Sequence, residues 1–355
     1  NGSIDQVRIY NAAVSAANVT TLYNEIECPA VAVTNAFNTV IYTGNGSTQS
    51  ITSLDFQPDL VWTKQRSSPN RDHQSNDSVR GANKILYPNL SVAEDTAGGV
   101  GSAYFNSFDS NGFTVGSSPY YNGSGLNYVT WNWKAGGTAV SNTDGAITSQ
   151  VSANVDAGFS IVEWSSSGGV GTVGHGLNEV PQLIIIKKTA SSSPWSVYAA
   201  PVGNDKRLQL NESAAAATDS IWNNTTPTNK VFTEQISGGA TTDNIAYCFH
   251  SVAGYSKVGS YTGTGATLQT LYIGFEPSFI LIKNTNSGNV WTIMDNKRNT
   301  TNPRNLGLFP NLSNLEYTYP GTPNGLYFTS TGFTLNTTQA EYNENTYSYI
   351  FLAIA

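Results

Sequence analysis

LDFQPDLVWTK, from Leu54 to Lys64, is one of three versions of a single cryptic phrase; LNEVPQLIIIKK follows from Leu177 to Lys188, and IGFEPSFILIKN from Ile273 to Asn284. In each, a proline (Pro58, Pro181, Pro277) stands six residues ahead of a lysine (Lys64, Lys187, Lys283). The residues between run or alternate apolar, as in a strand entering a buried sheet after a proline-stiffened corner. A repeat of about 100 residues is domain-sized, unlike a solenoid turn of about 20–50 residues. Three relatives of one β domain in series argue against a single enzyme pocket.

The flanks repeat as well. IYTGNGSTQSI opens the first copy and SYTGTGATLQT the third, with Tyr42 and Tyr261 each sixteen residues before the proline. The second opens with GFSIVEW, where Trp164 lies seventeen residues before Pro181. Trp195 and Trp291 each fall eight residues after their lysine; the corresponding place in the first copy is near His73, in a polar loop that reads as solvent-exposed. Asp77 and Arg80 share a D-x-x-R spacing with Asp295 and Arg298. The copies close on YVTWNWKA, NIAYCFHSV and YIFLAIA, aligning Trp131 with Tyr247 and Leu352 on what should be the core face. These features predict an all-β chain of three tandem homologous antiparallel β-sandwich-like domains. The expected boundaries are 37–137, 153–252 and 253–355, with linkers at 28–36 and 138–152.

Residues 1–27 differ from the rest. Ile4, Val7, Ile9 and Tyr10 read as a strand, and Ser15 can cap a short helix carrying Val19, Leu22 and Tyr23. G-x-I-D-x-V-R-I-Y-N followed by L-Y-N resembles the closing strand and helix of a concanavalin A-like, laminin-G-type jelly roll. The GF-x-P strand, the Y-T-G opening, the S-x-G-F turn around Phe113 and Phe333 and the closing strand together resemble an uncharacterised repeat domain. That domain occurs in tail-fibre and other surface proteins of marine bacteriophages, often downstream of laminin-G-like domains. The resemblance covers Phe37 to Ala355. It departs at Asp55, where glycine is usual, and in the second copy, which has no aromatic before Pro181; it brings no catalytic residue with it.

Charged residues make up only 12% of the chain, about half of the ~25% usual for globular domains. Asn, Ser, Thr and Gly fill the polar positions, which suits tight antiparallel packing outside the cell. A net charge of −7 offers no basic stripe for phosphates, so nucleic acid is not an expected partner. Lys297, Arg298 and Arg304 read as a solvated loop. No apolar run reaches the ~18 residues of a membrane span. Cys28 and Cys248 read as isolated, buried and inert thiols.

His73, His175 and His250 lack metal-ligand spacing, so no metal or cofactor is expected; His175, between glycines, reads as a turn residue. Gly98, Gly99 and Gly101, like Gly168, Gly169 and Gly171, lack the context of a phosphate loop. Glu94, Asp95, Glu212 and Asp219 are carboxylates that do not recur between copies, and read as surface acidity rather than a glycosidase pair. Tyr120, Tyr121, Trp195, Trp222 and Tyr317 lie in polar loops where rings can stack on sugars, or else plug their own sandwich. The resulting expectation is a non-enzymatic structural and adhesive protein of the virion surface, in a phage fibre or similar extracellular appendage. It would be a homo-oligomer, with a trimer favoured, beside other virion proteins and a host surface glycan. A cell-surface adhesin or carbohydrate-binding module is the alternative, and a polysaccharide-degrading tailspike the third.

Overall fold

One four-stranded antiparallel sheet is built three times. A computed structural model describes residues 33, 35–96, 103–236, 241–320 and 324–355; the strand and helix expected in residues 1–27, and Cys28, lie outside them. In the first module the strands lie side by side as Phe37–Thr43, Asn127–Trp133, Leu60–Gln65 and Gln74–Asp77. The third repeats this order with Ser256–Thr262, Ser348–Ile354, Phe279–Asn284 and Thr292–Asp295. In the second, Phe159–Ser166, Thr242–Phe249, Leu183–Lys188 and Ser196–Ala199 hold the same places within a longer sheet. The described residues contain no helix, so none is long and apolar enough to cross a membrane.

The register explains the repeated phrase. Each proline is the last residue outside the ladder, where a missing N–H costs nothing. The residue after it already donates to the closing strand: Asp59 to Trp133, Gln182 to Phe249 and Ser278 to Ile354. Four residues after the proline, Trp62 lies opposite Trp131, Ile185 opposite Tyr247 and Leu281 opposite Leu352. Trp131, Tyr247 and Leu352 are all buried, as the period-two reading requires.

A second, smaller layer makes each module sandwich-like. In the first it comprises Gln49–Ile51, Gly112–Val115 and Phe105–Asp109; in the third, Gln269–Tyr272, Gly332–Asn336 and Gly325–Thr329. The second module has a two-stranded ribbon there, Gly169–Gly174 with Val231–Ile236. Between layers lie three separate cores, represented by Phe105 and Phe113, by Trp164 and Phe232, and by Phe328 and Phe333. Gly44 and Gly263 hold the opening turns of the first and third modules, because a Cβ at either would run into the backbone of Gly123 or Glu344.

The opposite faces of the three large sheets merge. Trp62, Trp131 and Trp133 of the first module share one apolar cluster with Phe159, Ile185 and Phe249 of the second and Phe279, Leu281 and Leu352 of the third. Trp133 approaches Phe249 and Phe279, with ring centroids 6.4 and 5.7 Å away. Edge-on aromatic pairs of this kind add ~0.5–1.5 kcal/mol each beyond their area. The space left among these side chains is only about 20 Å³ and wholly apolar, so it stays dry. Val33–Ala355 is therefore one compact unit: three modules gathered about a common core rather than strung along a rod. Residues 138–152, expected as a linker, instead carry Val140–Asn142 and the start of Ser149–Asn154, which extend the second sheet beyond Phe159–Ser166. Their Ser/Asn-rich composition reads as loop, but Val151 is buried and fixes the register.

Seams between modules repeat cyclically. Lys64 of the first donates to the carbonyl of Ser313 in the third, Lys187 of the second to Ser91 in the first, and Lys283 of the third to Ser213 in the second. Each ammonium also caps carbonyls of its own module, such as Gln65, Ser193 and Asn289. Two residues beyond each lysine the main chain accepts from the preceding module: Thr189 from Glu94, Thr285 from Ala216 and Arg66 from Glu316. Burial lowers each lysine to about 8, yet the aliphatic stem crosses the seam and the head meets only oxygens. Lys187→Met keeps the stem and takes the ammonium from the carbonyls of Ser193 and Lys188, while that of Ser91 keeps the Ser193 N–H and the Ser192 hydroxyl. Each buried group left unpaired costs ~1–3 kcal/mol. A denaturant midpoint corresponding to a loss of ~3 kcal/mol or more is expected; a loss below ~1 kcal/mol would mean that the head only decorates the seam.

Candidate functional site: the pocket of the second module

Most polar groups singled out from the sequence are spent on the seams. Asp77 accepts from Arg80 Nε at 2.6 Å and from the Tyr247 hydroxyl of the second module at 2.9 Å. Asp295 likewise accepts from Arg298 Nε at 2.6 Å and from Trp131 Nε1 of the first module at 3.1 Å. Glu94 and Glu316 complete the two networks by pairing with Arg80 and Arg298. At the third seam the acid's place is taken by Ala199 and the reaching side chain is Leu352, so an apolar pair replaces a polar one. Arg298 and Arg304, expected in a solvated loop, are buried; a guanidinium that satisfies an internal acid or carbonyl reads from sequence like any surface charge.

The aromatics proposed as sugar platforms separate. Tyr121, Trp195 and Trp222 are at most 1% exposed and cannot stack on a glycan. Their polar atoms point inward: Tyr121 Oη to Asn76 Oδ1, Trp195 Nε1 to the Tyr87 carbonyl and Trp222 Nε1 to the Lys206 carbonyl. They are the plugs of their own sandwiches and seams. Tyr120 is half-buried beneath Arg71, 4.8 Å from its ring centre. Tyr317, 45% exposed, alone of the five keeps an open face, although Tyr319 meets it edge-on.

His73, expected in a solvated loop, is also fully buried: Trp62 Nε1 donates to its Nδ1 at 2.9 Å, and burial beside Lys64 holds the ring well below its usual pKa. Its backbone N–H bonds Asn89 as those of Trp195 and Trp291 bond Asn211 and Asn311, so it is the first module's counterpart of those tryptophans. His175 does hold a turn, with Nε2 at 3.1 Å from the Thr228 carbonyl and Nδ1 accepting from Leu177 N–H. Burial lowers it to about 4. Cys248 is a free, buried thiol pushed up to about 12. Among the described residues no three His, Cys, Asp or Glu side chains gather as a metal site.

Two polar pockets open among the described residues. One, of about 560 Å³, lies between the second and third modules and is lined mostly by small and main-chain groups such as Ala215, Ser260 and Thr285. The other, of about 210 Å³, lies in the second module between the large sheet and the ribbon, and it gathers charged side chains. Ile186, Lys188 and Ser196 supply the sheet side; Arg207, Asp219 and Ile221 form a rim; Glu234 is at the ribbon side. Arg207 and Asp219 pair at 3.0 Å. Glu234 is 2% exposed and accepts from Trp164 Nε1 at 3.1 Å. Burial pushes its carboxyl up to about 7 against the opposing pull of Lys188 and the indole hydrogen bond. No local pattern marks this acid, since the ribbon strand VFTEQI looks like any exposed edge. Alignment on Phe232 would have found it: two residues after the equivalent phenylalanines stand Val115 and Leu335, both fully buried.

A raised carboxyl reverses the usual acid dependence. Unfolded, Glu234 ionises near 4.3; folded, near 7. Between these values the folded state holds more protons, so stability falls as pH rises from ~4 to ~7 and is level above. Glu234→Gln keeps an acceptor for Trp164 and abolishes that ionisation. Its effect on urea unfolding should be small at pH 4 and a gain of ~3–4 kcal/mol at pH 8. An identical effect at both pH values would place the ionisation elsewhere.

A family model described as a domain of unknown function (DUF7483) matches residues 32–355, and the chain belongs to that family. The match takes in all three modules as one domain. No curated protein matches the chain.

Proposed function

We propose that this chain is a structural and adhesive protein of a virion surface appendage, such as a phage fibre, that holds loops toward the host without turning over a substrate. The observation that carries the reading is the closed arrangement of three modules on one dry aromatic core, with cationic and acidic side chains drawn into the seams. Such a body resists deformation, and its outer surface is left to Asn, Ser and Thr loops that form many weak contacts, which gain strength by multivalency. The sequence resemblance to phage surface proteins points the same way. Whole rings associate side by side in this reading, as a homotrimer beside other virion proteins. The edge strand Gln269–Tyr272, flanked by the exposed Leu268 and carrying the exposed Tyr272, offers a lateral surface.

Immunolabelling of purified particles, native mass measurement and sugar release from host polysaccharide test the three parts separately. Label on an appendage, a trimeric mass and no released sugar are expected. Particles without the protein would end the virion reading, a monomeric native state would remove the trimer, and polysaccharide cleavage lost on changing one carboxylate would replace the adhesin with an enzyme.

A further inference from the structure

The three modules serve as controls for one another, and one difference of the second bears on its pocket. In the third, the surface made by Ile282, Asn284 and Thr292 is covered by the loop that leads into the closing strand. Asn284 Nδ2 donates to the Ala340 carbonyl at 3.0 Å, and the buried Tyr342 lies beside Thr292 and Tyr319. The first module uses the corresponding loop the same way, inserting Tyr121 against Asn76 and Phe105. Residues 337–347 and 116–126 supply these plugs. In the second module residues 237–241 alone separate the ribbon strand from the closing strand, about half the length of the loop in either sister module.

Among the described residues, the corresponding surface of the second module lines the pocket. Ile186 corresponds to Ile282, Lys188 to Asn284 and Ser196 to Thr292, as the shared register requires. The side chain facing it has changed too: Leu335 and Val115 become Glu234, and the tyrosines Tyr42 and Tyr261, which donate to main-chain carbonyls, become Trp164, which donates to that acid. Loss of the plug alone would expose an apolar floor. Loss of the plug together with gain of a buried, indole-held carboxylate is a built polar site.

We infer that the second module's pocket holds a single sugar unit, with Glu234 and Asp219 accepting hydrogen bonds from its hydroxyls and Lys188, Arg207 and Ser196 donating to its oxygens. A pocket of about 210 Å³ is below the ~300–1,000 Å³ of drug-sized sites, which limits the occupant to one ring. Ile186 and Ile221 give that ring an apolar wall. Carboxylates and cations line it together, so the ligand must both donate and accept at several points, as a polyol does and a simple anion or cation does not. The assignment rests on the adhesive reading for the source of its ligand, a surface glycan.

Saturation-transfer NMR of the full chain with glucose, galactose, mannose, N-acetylglucosamine and glucosamine, each tested alone, reads occupancy directly, with glycerol as the control. At least one sugar should bind. Glu234→Leu, which installs the third module's own residue, and the rim variant Arg207→Ala should each weaken it about tenfold or more, the loss expected for one or two hydrogen bonds to charged groups. Saturation by none of the sugars, or binding unchanged in both variants, overturns the assignment. Cell adhesion separates it from the adhesive reading. Adhesion with no sugar held by the pocket sinks the pocket and leaves the adhesin; sugar binding without adhesion sinks the adhesin and leaves the pocket.

Discussion

Residues 33–135, expressed by themselves, will not fold. They contain every strand of the first module and its inter-sheet core, so a chain of independent domains predicts a cooperative, stable fragment. In the ring, however, this piece turns Trp62, Trp131 and Trp133 toward partners that it lacks, and leaves Lys64 and Arg66 facing an absent third module. Fully burying a large side chain is worth ~1.5–3 kcal/mol. Exposing three indoles and Leu60 removes an amount comparable to a small domain's whole ~5–15 kcal/mol. Circular dichroism and proteolysis of this fragment against residues 33–355 decide the matter. A sharp thermal transition in the fragment would show that the shared core contributes little.

Asp295→Ala is the point substitution with the largest expected cost, ~3–5 kcal/mol, because it takes the closer of two carboxylates from the buried Arg298 and leaves it only Glu316. It also removes the acceptor of Trp131 Nε1 and of two backbone N–H groups, those of Lys297 and Arg298. The molecule already contains the remedy. At the seam between the second and third modules the equivalent positions are Ala199 and Val202, with no ion pair to maintain. Adding Arg298→Val to Asp295→Ala should therefore recover at least about half the loss, since apolar replacements for buried pairs are often neutral or better. Urea midpoints of the single and double variants give the answer; a double variant no better than the single would assign the cost to the carboxylate's other donors.

The all-β, antiparallel, sandwich-like architecture was legible because the strands announce themselves. Pro58, Pro181 and Pro277 fix where each begins, and the spacing to the lysine fixes the register. The gathering of the modules was not legible. A strand such as LVWTK is apolar on both faces, and sequence does not say that one face meets its own small sheet and the other a different module. The same blindness misplaced Trp195: its ring stacks on Tyr247 while its indole N–H crosses to the Tyr87 carbonyl, neither of which is near it in the chain. His73 looked exposed because Asp72 and Arg71 surround it, whereas its alignment with Trp195 and Trp291 already marked a core position. Glu234 was hidden for a different reason. Its meaning lies in what the sister modules have instead, Leu335 and Val115, and in a missing loop that no local pattern reports.

The closing seam sets an order of events as the chain is made. Lys64 and its acceptor Ser313 are separated by 249 residues, as are Lys187 and Ser91 by only 96. The seams from first to second and from second to third module can form as soon as each new segment emerges. The last cannot, because its donor lies in the first module and its acceptor in the third, with the whole second module between them. At ~5–20 residues per second, the first module waits on the order of ten seconds or more with one flank uncovered, Trp131 still without Asp295 and Phe279. During that interval the nascent chain is sticky toward its neighbours on the same message, and a third module from one chain can clasp the first module of another. Crowded synthesis should thus yield domain-swapped multimers, whose share falls as translation is thinned out.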